Sequence, residues 1–296
     1  MEYLNETRLW TAMVTPFDSD SKVDYESFEK ILKLQAEASN GVLVLGSTGE
    51  NLALSLEEKK QIVEFTLSLK LKTPLMVGVG GFHLEETKAW IEYLETLNVD
   101  CYLLVTPLYA KPSVVGQTKW FKELLDLSTK PCMLYNVPSR TGVELNFQAV
   151  ENLKDHPRFW AIKEASGSVE KFARYRQAAP TVSVYSGDDG LLPQFALHGC
   201  SGLVSVASNV WPVLTHNYVA LSLSFNLGES RLNAMLNAVD ELFSVPNPIP
   251  AKAIMKEMSL IKESKLRAPL TIEELKTVDN LVQADKLLKE TFENLY

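Results

Sequence analysis

Short apolar runs rich in β-branched residues recur along the chain, with amphipathic stretches between them. The runs near residues 9–15, 41–46, 74–80, 101–106, 131–136, 159–164, 182–187 and 202–206 have the length and the bounding turn residues of buried strands. Between them, residues 25–39, 56–71, 84–97 and 114–128 repeat apolar side chains at helical spacing. Ser55-Leu56-Glu57-Glu58 and Thr271-Ile272-Glu273-Glu274 each read as a capping box, a hydroxyl answered by a glutamate at the start of a helix.

Eight strands alternating with helices over about 230 residues predict an α/β chain built as a (β/α)8 TIM barrel. A doubly wound sheet shares the alternation and stays open as the alternative. After about Gly228 no strand pattern recurs, and residues 231–243, 251–261 and 272–291 read as helices. The expected organisation is a barrel over residues 1–228 followed by a C-terminal helical region over 229–296. Pro246-Asn247-Pro248-Ile249-Pro250 reads as a bend between helices.

Composition narrows the function. The 296 residues are 46% hydrophobic, ample for a substantial core. A formal charge of −8 argues against nucleic acid or an anionic membrane as the main partner. An anionic substrate would therefore need cations placed locally. Cys101, Cys132 and Cys200 lie in or beside apolar runs without CxxC spacing, as small buried hydrophobes in a reducing cytosol do. The opening Met1-Glu2-Tyr3-Leu4-Asn5-Glu6 is acidic and polar, and no apolar run approaches the roughly 18 residues of a membrane span. A soluble, cytoplasmic protein is expected.

In a barrel the chemistry gathers at the carboxyl ends of the strands. Those ends carry Thr15, Ser47-Thr48, Thr106, Tyr135, Lys163-Glu164, Gly187-Asp188-Asp189 and Ser205. One amine, one phenol and several hydroxyls suit carbonyl chemistry through a Schiff base. Lys163 closes an apolar run, where an unpaired ammonium is costly, so it is the candidate nucleophile. A lysine of ordinary pKa is neutral in about one molecule in 2,500 at pH 7, so imine chemistry asks for an apolar surround. Trp160, Ala161 and Ile162 are the expected source of it. Pairing of Lys163 with its neighbour Glu164 is the structural alternative.

Tyr135 could shuttle protons during carbinolamine formation, or be a buried tyrosine with a satisfied hydroxyl. The turn Gly46-Ser47-Thr48-Gly49-Glu50 could hold a small carboxylate through its amides and a helix dipole, or simply connect two elements. Arg140 could grip a carboxylate in a fork or be a solvated loop arginine. No cofactor is expected: Gly78-Val79-Gly80-Gly81-Phe82-His83 has His83 where a dinucleotide fingerprint needs its third glycine. No metal is expected either, since His83, His156, His198 and His216 lack ligand spacing. Asp188-Asp189 reads as a helix start rather than a cation site.

Four motifs together carry a resemblance. Gly46-Ser47-Thr48-Gly49-Glu50, Tyr135-Asn136-Val137-Pro138-Ser139-Arg140-Thr141-Gly142, Ile162-Lys163-Glu164-Ala165-Ser166-Gly167 and Ser186-Gly187-Asp188-Asp189 are similar to those of the pyruvate-dependent class I aldolase superfamily. Within it the chain resembles the 4-hydroxy-tetrahydrodipicolinate synthase (dihydrodipicolinate synthase) family. Asn247-Pro248-Ile249-Pro250-Ala251-Lys252 extends the match over nearly the whole chain. The first motif is shared with N-acetylneuraminate lyase. Arg140 and the Ser-Gly-Asp-Asp run point to the synthase.

The resemblance implies a lyase of lysine and diaminopimelate biosynthesis. Lys163 would form an imine with pyruvate, whose enamine attacks aspartate 4-semialdehyde before ring closure. Tyr135, Thr48 and Tyr109 would relay protons, Tyr109 reaching in from a neighbouring subunit of a homo-oligomer, a tetramer of paired dimers or a dimer. Ser47 and Thr48 would hold the pyruvate carboxylate, and Arg140 that of the semialdehyde. Gly187 and Val204 would line the site through backbone groups. Ser47 stands where the family often has threonine and keeps the hydroxyl.

In family members that lysine inhibits, an aromatic residue precedes the relay tyrosine, whereas Leu108 does so here. Leu56 and Phe82 replace polar or basic residues of the sensitive pattern and Lys59 replaces a histidine, while Glu86 is kept. Weak or absent feedback by lysine is expected. A sialic- or sugar-acid aldolase and a non-catalytic metabolite sensor are the rival readings. Arg140 argues against the first, and the Lys163, Tyr135 and Thr48 set against the second.

Overall fold

All eight apolar runs are strands in the computed structural model, which describes residues 2–292. They are β1 (Leu9–Ala12), β2 (Gly41–Val44), β3 (Leu75–Val79), β4 (Cys101–Val105), β5 (Cys132–Asn136), β6 (Phe159–Glu164), β7 (Ser183–Ser186) and β8 (Gly202–Ser205). Nearly every residue in them is buried. A parallel sheet covered on both faces requires this, which is why the strands read as continuous apolar runs. They follow one another in chain order around a closed barrel. The doubly wound alternative is excluded, because such a sheet is open and switches strand order part-way. Residue 1 and residues 293–296, the outer ends of the predicted regions 1–228 and 229–296, lie outside the described residues.

The chain divides into two units. One takes the chain up to Arg8 together with Pro74–Val204. In it Val105 lies opposite Tyr135, Tyr135 opposite Lys163, and Lys163 opposite Tyr185. The opening helix Glu2–Glu6 is tied down by Tyr3, whose hydroxyl donates to Asp100 Oδ1 at 2.8 Å. Asn5 Oδ1 accepts from the Trp160 indole at 2.8 Å. His83, which breaks the glycine-rich run, caps the helix Leu84–Glu95: its Nδ1 accepts from the Glu86 amide at 3.2 Å.

The other unit takes Leu9–Thr73 and the chain from Ser205 onward. The predicted capping box at Ser55 forms, with the Ser55 amide donating to Glu58 Oε2 at 2.9 Å and Ser55 Oγ accepting from the Glu58 amide at 3.3 Å. The Arg267 guanidinium also clasps the Glu58 carboxylate, at 2.9 and 2.5 Å. That hydrogen bonding holds the Glu58 pKa down to about 2. After Gly228 the described residues form helices, of which Glu229–Leu242 and Asp279–Phe292 pack along one another. Leu281, Ala284, Leu288 and Phe292 are buried at helical spacing along the second.

One predicted helix is two elements. Residues 272–291 read as continuous because their apolar positions keep step, yet a 3₁₀ turn, Ile272–Glu274, precedes a separate helix starting at Asp279. The Val278 carbonyl takes that helix's first bond, from the Val282 amide at 3.0 Å, and just ahead of it Thr277 Oγ1 accepts from the Asp279 amide at 3.1 Å, a local bond that turns the chain. Thr271 bonds the Glu273 amide and heads only the short turn, so the capping box expected there is absent.

Candidate active site

The last turn of β6 and that of β5 bring a lysine onto a tyrosine. Tyr135 and Lys163 are register partners, as are Asn136 and Glu164. Consecutive side chains on a strand point to opposite faces, so the first pair shares one face and the second the other. Lys163 Nζ lies 4.3 Å from the centroid of the Tyr135 ring, within cation–π range. Lys163 is 5% exposed and Tyr135 6%, so the contact is screened little by water. Gly187, just past β7, forms the third side. A Cβ there would come within 2.7 Å of Lys163 Cε and 2.8 Å of Ala165 Cβ. The lysine stem runs over the space that any other side chain at residue 187 would fill.

Two expectations about Lys163 are corrected. Glu164 is not its ion-pair partner: the buried carboxylate accepts from Asn136 Nδ2 at 2.7 Å, the Ser166 amide at 2.9 Å and the Ser166 hydroxyl. Burial raises the Glu164 pKa above the usual carboxylate range. Nor does Trp160 shelter the amine. Its indole is engaged with Asn5 and packs 5.7 Å from the Tyr185 ring, at the amino end of the strand. What lies against Lys163 is the Tyr135 ring, Ala165 and the Gly187 backbone.

Tyr109 and Arg140 stand on the loops after β4 and β5. The Tyr109 amide donates to the Thr141 carbonyl at 3.0 Å, which joins the two loops. Tyr109 adopts φ 67° and is 85% exposed. Holding a bulky residue in the left-handed region costs about 1–3 kcal/mol, a strain that concentrates at functional sites. Arg140 belongs to the helical turn Pro138–Thr141 and is exposed. Val204 is buried within β8. Asp188 Oδ1 accepts from the Gly190 amide at 3.2 Å, so its carboxylate shapes a turn ahead of the helix Leu192–Ala196.

In the other unit, Ser47 and Thr48 lie on the turn after β2. Thr48 is 3% exposed and Ser47 is partly exposed. The amides of Gly49 and Glu50 donate within the turn, to Gly46 and Ser47 carbonyls at 3.1 Å each. The next α-helix begins only at Leu56. Those two amides are spent within the turn and no α-helix starts directly after it, which leaves the hydroxyls and amides of Ser47 and Thr48 as its candidate binding groups.

Three neighbours missed in the sequence hold this turn. Asn247 Nδ2 donates to Thr48 Oγ1 at 3.0 Å. Glu50, at φ 54°, accepts from Lys252 Nζ at 2.5 Å and from the Arg267 amide at 2.9 Å. Lys252 is wholly buried, and burial lowers its pKa to about 8. A lysine in the apolar helix Ile249–Glu257 was the legible signal for that pair.

The sequence profile of the dihydrodipicolinate synthetase family matches residues 5–288. The chain belongs to that family. A 4-hydroxy-tetrahydrodipicolinate synthase from Francisella philomiragia subsp. philomiragia is 49% identical over 288 residues, covering 97% of this chain and 98% of its relative. Among solved structures, the 4-hydroxy-tetrahydrodipicolinate synthase of Methylacidiphilum fumariolicum SolV superposes with a TM-score of 0.90 at 29% identity, covering 98% of each chain. A chloride-inhibited dihydrodipicolinate synthase from Acinetobacter baumannii, complexed with pyruvate, does so with a TM-score of 0.88 at 31% identity, covering 96% of this chain and 98% of that one. The closed barrel is thus the architecture of the dihydrodipicolinate synthetase family, and the resemblance seen in the motifs extends over the whole fold.

Proposed function

We infer that this protein condenses pyruvate with L-aspartate 4-semialdehyde to 4-hydroxy-tetrahydrodipicolinate, in lysine and diaminopimelate biosynthesis. The observation that carries the reading is the buried Lys163 amine, laid on the Tyr135 ring and passing over a glycine. In the proposed scheme the amine attacks the pyruvate C2 carbonyl, and the carbinolamine loses water to give an imine. Loss of a C3 proton gives the enamine, which attacks the aldehyde carbon. Ring closure through the semialdehyde's own amine then frees Lys163. The scheme uses neither cofactor nor metal.

The remaining roles follow from the chemistry of each group. Tyr135, Thr48 and Tyr109 pass protons to and from the carbinolamine. Ser47 and Thr48 hold the pyruvate carboxylate. Arg140 holds the second carboxylate in a fork. Gly187 and Val204 line the site through their backbones. The exposure of a strained Tyr109 supports its being offered to a second copy, so the working form is read as a homo-oligomer, a dimer or a tetramer of paired dimers. Residues 1–228 supply the catalytic barrel and 229–296 a helical extension. Among the described residues no helix is long and apolar enough to cross a membrane, in keeping with a cytoplasmic assignment.

Borohydride reduction in the presence of pyruvate, followed by peptide mass analysis, is expected to place a single adduct on Lys163. An unmodified Lys163 overturns the reading. Turnover of sialic acid in place of aspartate semialdehyde would move it to a sugar-acid aldolase.

Feedback should be weak. Leu56 is 57% exposed and Phe82 61%, so where lysine-sensitive relatives offer hydrogen-bonding groups this chain offers apolar ones. A zwitterion gains little from such a surface. Initial rates titrated with lysine should show no half-inhibition at low-millimolar concentration, and half-inhibition in that range would refute the expectation.

A further inference from the structure

The segment Asn247–Lys252 has no part in the chemistry above, yet both its ends grip the turn that carries Thr48. Asn247 Nδ2 donates to Thr48 Oγ1 at 3.0 Å, and Lys252 Nζ donates to Glu50 Oε1 at 2.5 Å. We propose that Asn247 is a positioning residue for the condensation, acting through the Thr48 hydroxyl. The inference rests on the reading of Thr48 as a group that relays protons and holds the pyruvate carboxylate.

A hydroxyl carries one proton and accepts through its lone pairs. With an Asn247 N–H on the oxygen, the Thr48 proton is directed away from Asn247 and stays available to another acceptor. A carboxylate and a phenolate are both acceptors, so one fixed donor on Thr48 serves binding and relay alike. Asn247 is itself 5% exposed and Thr48 3%, so water does not compete for the contact.

The second anchor fixes the partners' separation. Lys252 also donates to the Lys265 carbonyl at 2.9 Å and sits 4.2 Å from the Phe17 ring centroid, while the Arg267 guanidinium carbon sits 4.5 Å from that same centroid. Buried ion pairs stabilise a fold little relative to apolar residues of the same volume, and their best-attested use is to fix registry. Here the registry is that of a left-handed Glu50, two residues from Thr48, against the helix Ile249–Glu257 that follows Asn247.

The test is a double-mutant cycle on kcat, with Tm as the check on folding. Asn247→Ala is expected to lower kcat about 10-fold, the worth of one hydrogen bond that orients a relay group. In a Thr48→Val background the same change is expected to cost less than about twofold, because no hydroxyl remains to orient. Asn247→Asp replaces a donor by an acceptor and is expected to lower kcat about 100-fold, by capturing the Thr48 proton and repelling an anionic substrate. If Asn247→Ala does not fold, the nearly isosteric Asn247→Asp decides. Wild-type kcat in either folded variant, or full additivity with Thr48→Val, overturns the proposal. Borohydride trapping on the unmutated enzyme runs alongside. Its failure would remove the imine reading, whereas a trapped wild-type enzyme with indifferent Asn247 variants would remove only this inference.

Discussion

Lys163→Met should leave a folded protein with no measurable condensation, a loss in kcat/KM of at least about 10⁴-fold. The amine is the only atom group in the proposed scheme that bonds covalently to substrate, so nothing else substitutes for it. Methionine keeps the length and apolar stem of the lysine, so packing against Ala165 and the Tyr135 ring survives. The same substitution should hold or raise the melting temperature. Lys163 is 5% exposed and no ion pair holds it among the described residues, so the relief of no longer burying an amine offsets or outweighs the lost cation–π contact with the Tyr135 ring. Activity falling while stability rises is the signature of a group kept for chemistry. Calorimetry beside a coupled assay reads both. Activity within tenfold of wild type would remove Lys163 from the mechanism.

Gly187→Ala also carries a large expected effect, and it arises without replacing a reacting group. The added methyl would stand 2.7 Å from Lys163 Cε, 3.0 Å from Lys163 Cγ and 2.8 Å from Ala165 Cβ. The lysine end can swing aside, whereas Ala165 Cβ is fixed to the backbone. The amine is therefore the group that moves, off the Tyr135 ring. Displacing a reacting atom by about 1 Å costs on the order of 100-fold in kcat, and overpacking of this size costs about 1–3 kcal/mol of stability. Borohydride trapping with pyruvate should slow in proportion to kcat. Normal trapping and kcat in Gly187→Ala would show that the lysine stem does not need that space.

The fold was legible because its strands are buried on both faces. A strand such as Cys132–Asn136 or Phe159–Glu164 has no polar side to interrupt its apolar run, so eight of them stood out against the amphipathic helices. Helix starts were legible where a side chain does the capping, as at Ser55. The miss at residues 272–291 has a related origin, since Thr277 bonds the Asp279 amide and turns the chain inside an apolar repeat that never breaks step. The Gly46–Glu50 turn was only partly legible. Its composition does not say which amides are spent, and only the folded turn shows that Gly49 and Glu50 use theirs internally.

Residue type and order by themselves determined that this chain alternates strands and helices, that a lysine ends one buried strand and a tyrosine another, and that the motifs are those of one family. These are local properties, written in side-chain polarity and spacing. Only the tertiary structure decided between a closed barrel and an open sheet, because strand order depends on pairing between distant segments. It alone turned Glu164 away from Lys163 and toward Asn136 and Ser166, since strand alternation sends neighbours to opposite faces. It also joined Asn247 to Thr48 and Lys252 to Glu50, contacts that span about two hundred residues of chain. Lys252 leaves a local signal as a lysine inside an apolar helix, but Thr48, Glu50 and Asn247 are each only a polar residue beside a glycine or a proline, and no local pattern says which distant segment each will meet.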